Sequence, residues 1–167
     1  GADILSMSLG SPEPDEKIHQ ALLLAISKGI LVITAAGNEG PDLDTVGYPA
    51  GDAEMVAVGS IDRRKRLSPF SSRGRQVDVV APGDQITSCY PPRGYAVLSG
   101  TSMATPFVSG VVALALSKHR KMGGKTPLHN QQDLIEHLSR TSMEAGPAGF
   151  DPLYGYGILN PEKLIQG

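Results

Sequence analysis

The run Ile30-Leu31-Val32-Ile33-Thr34-Ala35 constrains the fold more than any other part of the sequence. Six residues, mostly β-branched and without polar alternation, read as a strand buried on both faces, a parallel-sheet pattern. Upstream, Ile4-Leu5-Ser6-Met7-Ser8-Leu9 reads as another strand, closed by Gly10 and the Pro12/Pro14 turn. Between them Asp15 is a candidate cap for a helix through Ala21, Leu22, Leu24, Ala25 and Ile26 to Lys28-Gly29. Strand, helix and strand over about thirty residues make a right-handed βαβ unit. Met55–Ile61 and Val77–Val80 supply two further strands. The expected class is therefore α/β, a parallel sheet with helices on both faces.

Further along, Ile86–Leu98, broken by Pro91-Pro92-Arg93-Gly94, predicts a hairpin. A long apolar helix follows from Ser102 to about Lys118, carrying Val108, Val111, Val112, Leu114, Ala115 and Leu116. It is apolar on most sides and so is expected to be central and buried. Pro106 is expected to cost it little, lying near the start. Gln131–Leu138 predicts another helix, and Asn160-Pro161 opens a short terminal one. No repeat or linker divides the chain, so residues 1–167 read as one α/β unit.

Hydrophobic residues make up 40% and charged residues 19%, which excludes a disordered chain. Net charge is −2, and the Arg63-Arg64-Lys65-Arg66 run beside Asp62 reads as a solvated turn, so no nucleic-acid partner is expected. No apolar stretch approaches the roughly 20 residues of a membrane-spanning helix. The lone Cys89 reads as a small, semi-buried residue.

Two segments carry chemistry. Gly100-Thr101-Ser102 puts a serine at the mouth of the long helix, where free N–H groups and the dipole favour a developing anion. Taken alone, Ser102 reads first as a helix cap. Ala35-Ala36-Gly37-Asn38-Glu39-Gly40 lies beyond the carboxyl end of the buried strand, where open parallel sheets hold their ligands. The Asn38 amide could donate to an oxyanion, but taken alone Asn38 reads first as a turn residue.

Together the segments are much more specific. Gly100-Thr101-Ser102-Met103-Ala104-Thr105-Pro106 resembles the nucleophile signature of the subtilisin-like serine proteases (subtilases), and Ala36-Gly37-Asn38 their oxyanion segment. Ser8-Leu9-Gly10, Ser71-Ser72-Arg73-Gly74, Ala81-Pro82-Gly83 and Tyr154-Gly155-Tyr156-Gly157 resemble further short runs of that family, and the likeness covers essentially the whole chain. The resemblance implies a subtilisin-like sheet lacking its N-terminal strands, the C-terminal part of a peptidase domain. It implies that Ser102 attacks a peptide carbonyl, that Asn38 and the Ser102 N–H stabilise the oxyanion, and that Thr101 supports them. Ser8, Leu9 and Gly10 would form one wall of the S1 pocket, and Ala35, Ala36 and Gly37 the other. Gly47 would leave the base open to large apolar side chains, and Glu39 at the rim would admit a basic one. Tyr48-Pro49 matches a cis peptide of the family. The family's habit implies a secreted or extracytoplasmic protein. It requires no cofactor for chemistry. Calcium is implied only as a structural ion, at a weak site near Ala50, Asp52 and Asp78, where a solvated loop is the plainer reading.

Such a serine needs a base and a group to orient it. The family's Asp and His motifs precede the region matched here. His19, His119, His129 and His137 lack the family's catalytic context and read as surface or helix-packing residues, and Asp3, Asp15, Asp42, Asp44 and Asp78 lack it too. Phe107 stands where the family often has a structural histidine. The chain is thus expected to begin inside the domain. Its first strand would be an apolar edge, inviting a complementary N-terminal fragment or self-association. The isolated chain is expected to be a poor protease. The alternatives are an α/β-hydrolase, which needs Asp and then His after the serine, and a non-catalytic relic that binds a partner.

Overall fold

The computed structural model describes residues 1–123 and 128–166. Four strands, β1 (Ile4–Met7), β2 (Leu31–Ala35), β3 (Val56–Ile61) and β4 (Val77–Pro82), form a parallel sheet in that order. β1 ends at Met7, two residues short of the expected strand, because Ser8 and Leu9 turn out to line a cleft. β2 is buried at every position, as its unbroken apolar run requires. Its start has no strand partner at Val32 on the β3 side, and Gln131 supplies one. Gln131 Oε1 accepts from Val32 N–H and Nε2 donates to Val32 C=O, both at 2.8 Å.

Helix α1 (Glu16–Ser27) is capped by Asp15, whose Oδ1 accepts from Lys17 and Ile18 N–H. Its Leu22 packs with Val32 and Met55 on one face of the sheet. On the opposite face Leu31, Ile33, Val56, Val58, Val79 and Ala81 meet α2 (Thr101–Lys121), α3 (Gln131–Thr141) and α4 (Pro161–Gln166). Helices therefore cover both faces of an α/β sheet. The antiparallel hairpin of β5 (Ile86–Tyr90) and β6 (Gly94–Leu98) stands apart from that sheet.

Three expectations need correcting. α2 is not buried all round: Ala104, Val108, Val111, Val112 and Ala115 enter the core, but Pro106, Phe107, Gly110, Ala113 and Leu114 form an exposed stripe. No described element covers that side. Cys89 is exposed, because the hairpin carrying it lies outside the core. Ser102 does not cap α2, since Gly100 is the N-cap and Ser102 is the helix's second residue.

Candidate active site

The carboxyl ends of β1 and β2 and the start of α2 converge on a cleft of about 570 Å³. Ser8, Leu9, Gly10, Ala35, Ala36, Gly37, Asn38, Glu39, Gly47, Thr101 and Ser102 all line it. Four segments far apart in sequence are brought to one place because parallel strands end on the same side. The sequence reading missed Ser11, Pro12, Asp44, Thr45 and Val46, which complete the lining. Those five lie on loops without periodicity, and their adjacency to Gly10 and Gly47 in the chain was their only signal. The walls are tied together beneath the cleft. Ser11 and Tyr48 exchange backbone hydrogen bonds of 2.9 and 2.8 Å, and Gly47 N–H donates to Ala36 C=O at 3.1 Å. The Tyr48–Pro49 peptide is cis.

Asn38 is held by its oxygen. Oδ1 accepts from Thr101 N–H at 2.9 Å and lies 3.2 Å from Thr101 Oγ1. A backbone N–H can only donate, so the atom facing it must be the carbonyl oxygen, and the amide NH2 is left on the open side. No described group accepts from that NH2. Thr101, fully buried, also accepts from Gly37 N–H at 3.2 Å, which locks the two segments together. Gly37 has φ +114, and a Cβ there would collide with the Glu39 carboxylate and, at 2.8 Å, with Ser72 Oγ.

Ser102 is half-buried, and neither its Oγ nor its N–H has a partner among the described residues. An unpaired N–H is expected at the second position of a helix. Its carbonyl is different. Pro106 is the sixth residue of α2, beyond the free first turn, so its missing N–H would have bonded Ser102 C=O. The expectation that this loss has little consequence was incomplete, because Ser8 Oγ donates to that carbonyl instead, at 2.9 Å.

Glu39 and Asp44 are the charged residues of the lining, and both are acidic. Glu39 is steered by Ser72, whose Oγ donates to Oε2 at 2.9 Å and accepts from Glu39 N–H. No histidine lines the cleft. His19 Nδ1 lies 2.9 Å from Asp52 Oδ2, and this bond raises the His19 pKa above its usual value. His137 Nε2 bonds Leu164 C=O, and His119 packs edge-on against His129.

At the implied cation position, the Asp52 carbonyl accepts from Met55 N–H and its carboxylate meets His19. Asp78 accepts from Ala57 N–H at 2.8 Å, and burial pushes its carboxyl up to about 7. Asp52 and Asp78 are thus already engaged, and no trio of His, Cys, Asp or Glu able to hold a metal gathers among the described residues. The basic turn folds on Asp62, which accepts from Arg64 and Arg66 N–H and pairs with the Arg66 guanidinium at 2.7 Å.

A family model described as the subtilase family matches residues 1–157. Subtilisin DY of Bacillus licheniformis is 39% identical over 99% of this chain and 58% of its own length. M-protease of Shouchella clausii (strain KSM-K16) is 40% identical over 99% of this chain and 40% of its own length. Among solved structures, prenylagaramide maturation protease PagA superposes with a TM-score of 0.86 at 32% identity, covering 99% of this chain and 62% of PagA. The protease domain of PatA matches with the same TM-score at 31% identity, 59% of it covered. No helix of the described residues is long and apolar enough to cross a membrane. With a match over nearly its whole length, in sequence and in fold, the chain belongs to the subtilase family.

Proposed function

We propose that this chain is the nucleophile-bearing part of a serine endopeptidase, acting through an acyl-enzyme on Ser102. One observation carries the reading. The free Oγ and N–H of Ser102 stand at a helix start beside an Asn38 amide whose oxygen is tied back, leaving its NH2 to donate. Asn38 Nδ2 and Ser102 N–H would then bind the oxyanion of the tetrahedral intermediate. Removing one such donor costs about 10²–10³ in turnover, a magnitude that comes from a subtilisin itself. The chemistry needs no cofactor. Small residues at Ala35, Ala36, Gly37 and Gly47 leave room for a large side chain beside the scissile bond, and Glu39 with Asp44 favours a basic one.

The base and its orienting acid would come from polypeptide outside this sequence, a complementary N-terminal segment of a subtilase domain. Without them Ser102 keeps only the oxyanion and binding contributions, roughly 10³–10⁴ over water. A structural calcium ion and an extracytoplasmic location are separate proposals resting on the family alone. The first predicts that millimolar calcium raises the unfolding midpoint, and the second that cell fractionation finds the protein outside the cytoplasm.

The test is labelling by a fluorophosphonate probe. The expected result is weak labelling of Ser102 in the chain alone and strong labelling once a subtilase N-terminal segment is added. That complex should then cleave peptides with Phe or Lys before the scissile bond faster than those with Asp. Strong labelling of the chain alone, or none with the added segment, would overturn the proposal.

A further inference from the structure

Ser102 is held on both sides by the two walls of its own cleft. Before it, Thr101 N–H donates to Asn38 Oδ1, on the segment that follows β2. After it, Ser102 C=O accepts from Ser8 Oγ, on the segment that follows β1. The second contact exists because of a vacancy built into α2. A helix carbonyl normally accepts from the N–H four residues on, and here that residue is Pro106, which has none. Ser102 C=O would otherwise be open to water or left unpaired, and Ser8 supplies the missing donor from a different element.

We propose that Ser8 is a positioning residue for Ser102, its hydroxyl substituting for the N–H that Pro106 lacks. The inference rests on the proposed role of Ser102 as nucleophile. An ordinary helical hydrogen bond would tie the nucleophile only to its own helix. The Ser8 bond ties it to the wall against which an extended substrate would lie, so substrate seating and serine orientation share one mechanical link. A shift of about 1 Å at a nucleophile can cost on the order of 10²-fold in rate. The hydroxyl geometry matters as well as its presence, because Ser8 sits on an exposed irregular segment after β1 with no other described hydrogen bond to fix it.

The Pro106 vacancy makes a decisive genetic test available. In Ser8→Ala, acylation of Ser102 by the fluorophosphonate in the complex with a subtilase N-terminal segment should fall about tenfold to a hundredfold. Ser8→Thr, which keeps the hydroxyl, should stay within about threefold of wild type. Pro106→Ala restores an N–H four residues beyond Ser102, so Ser8→Ala should cost little in a Pro106→Ala background. Equal losses in both backgrounds, or wild-type acylation in Ser8→Ala, would overturn the proposal. A second readout needs no activity. In the chain alone, the Ser102 carbonyl carbon resonance should shift in Ser8→Ala and return in the double variant, and an unmoved resonance would also overturn it. If the wild-type complex fails to acylate while that resonance responds as expected, the serine-endopeptidase reading fails and the hydrogen-bond substitution stands.

Discussion

Burial pushes the Asp78 carboxyl up to about 7, while the Asp52 bond raises the pKa of His19. Both groups bind protons more tightly folded than unfolded. Their stabilisation is complete below their unfolded pKa values and is lost as pH rises through the folded ones. Asp3, held down by its hydrogen bond to Arg120, and Asp62, held down by hydrogen bonds from Arg66, act in the opposite sense. Asp3 is exposed, and Asp62, though half-buried, pairs with an exposed Arg66 guanidinium at the surface, so both contribute little. Asp78 therefore dominates the alkaline side. The interval from 3.8 to about 7 spans roughly three decades of proton affinity at ~1.4 kcal/mol each, so the loss is at most about 4 kcal/mol. Asp78→Asn keeps an acceptor for Ala57 N–H and removes the titration. Denaturant midpoints should show the variant more stable than wild type at pH 8 and close to it at pH 4. An equal difference at both pH values would refute the assignment.

At the level of elements, α2 combines two jobs that its composition does not separate. Val108, Val111, Val112 and Ala115 face the sheet, while Phe107 and Leu114 are 42% and 59% exposed. Periodicity cannot distinguish these faces, because both are apolar. The distinction appears only once the sheet and α4 have been placed against one side. Glu substituted at both Phe107 and Leu114 should leave circular dichroism and the unfolding midpoint nearly unchanged, since exposed positions usually shift stability by under about 0.5 kcal/mol. The same variant should lose capture of a complementary subtilase segment in a pull-down. Undiminished capture would show that this stripe is not a docking face.

For the whole molecule, β1 is one of the two outer strands of the sheet and the exposed stripe of α2 lies on a helix that packs against it. Unpaired strand edges promote association with another chain. Light scattering at high concentration should give a mass above that of one chain, and added N-terminal segment should replace self-association with a defined complex. A clean monomer across the concentration range would count against both.

The residue order was enough to specify local conformation and the family. The apolar run at Ile30–Ala35 and the Asp15 cap identify a strand and a helix start, and the Gly100–Pro106 run carries the resemblance to the family, since each depends on neighbours a few residues away. Asn38 and the Ser8–Gly10 wall were legible through resemblance, not through periodicity. Only the folded chain could show that Ser8 replaces the donor missing from Pro106, that Asp44 joins Glu39 in the lining, or which side of α2 stays open. These depend on groups from separate segments meeting in space, with Ser8 and Ser102 lying 94 residues apart. No local pattern encodes such a meeting, because it is set by how strands and helices pack.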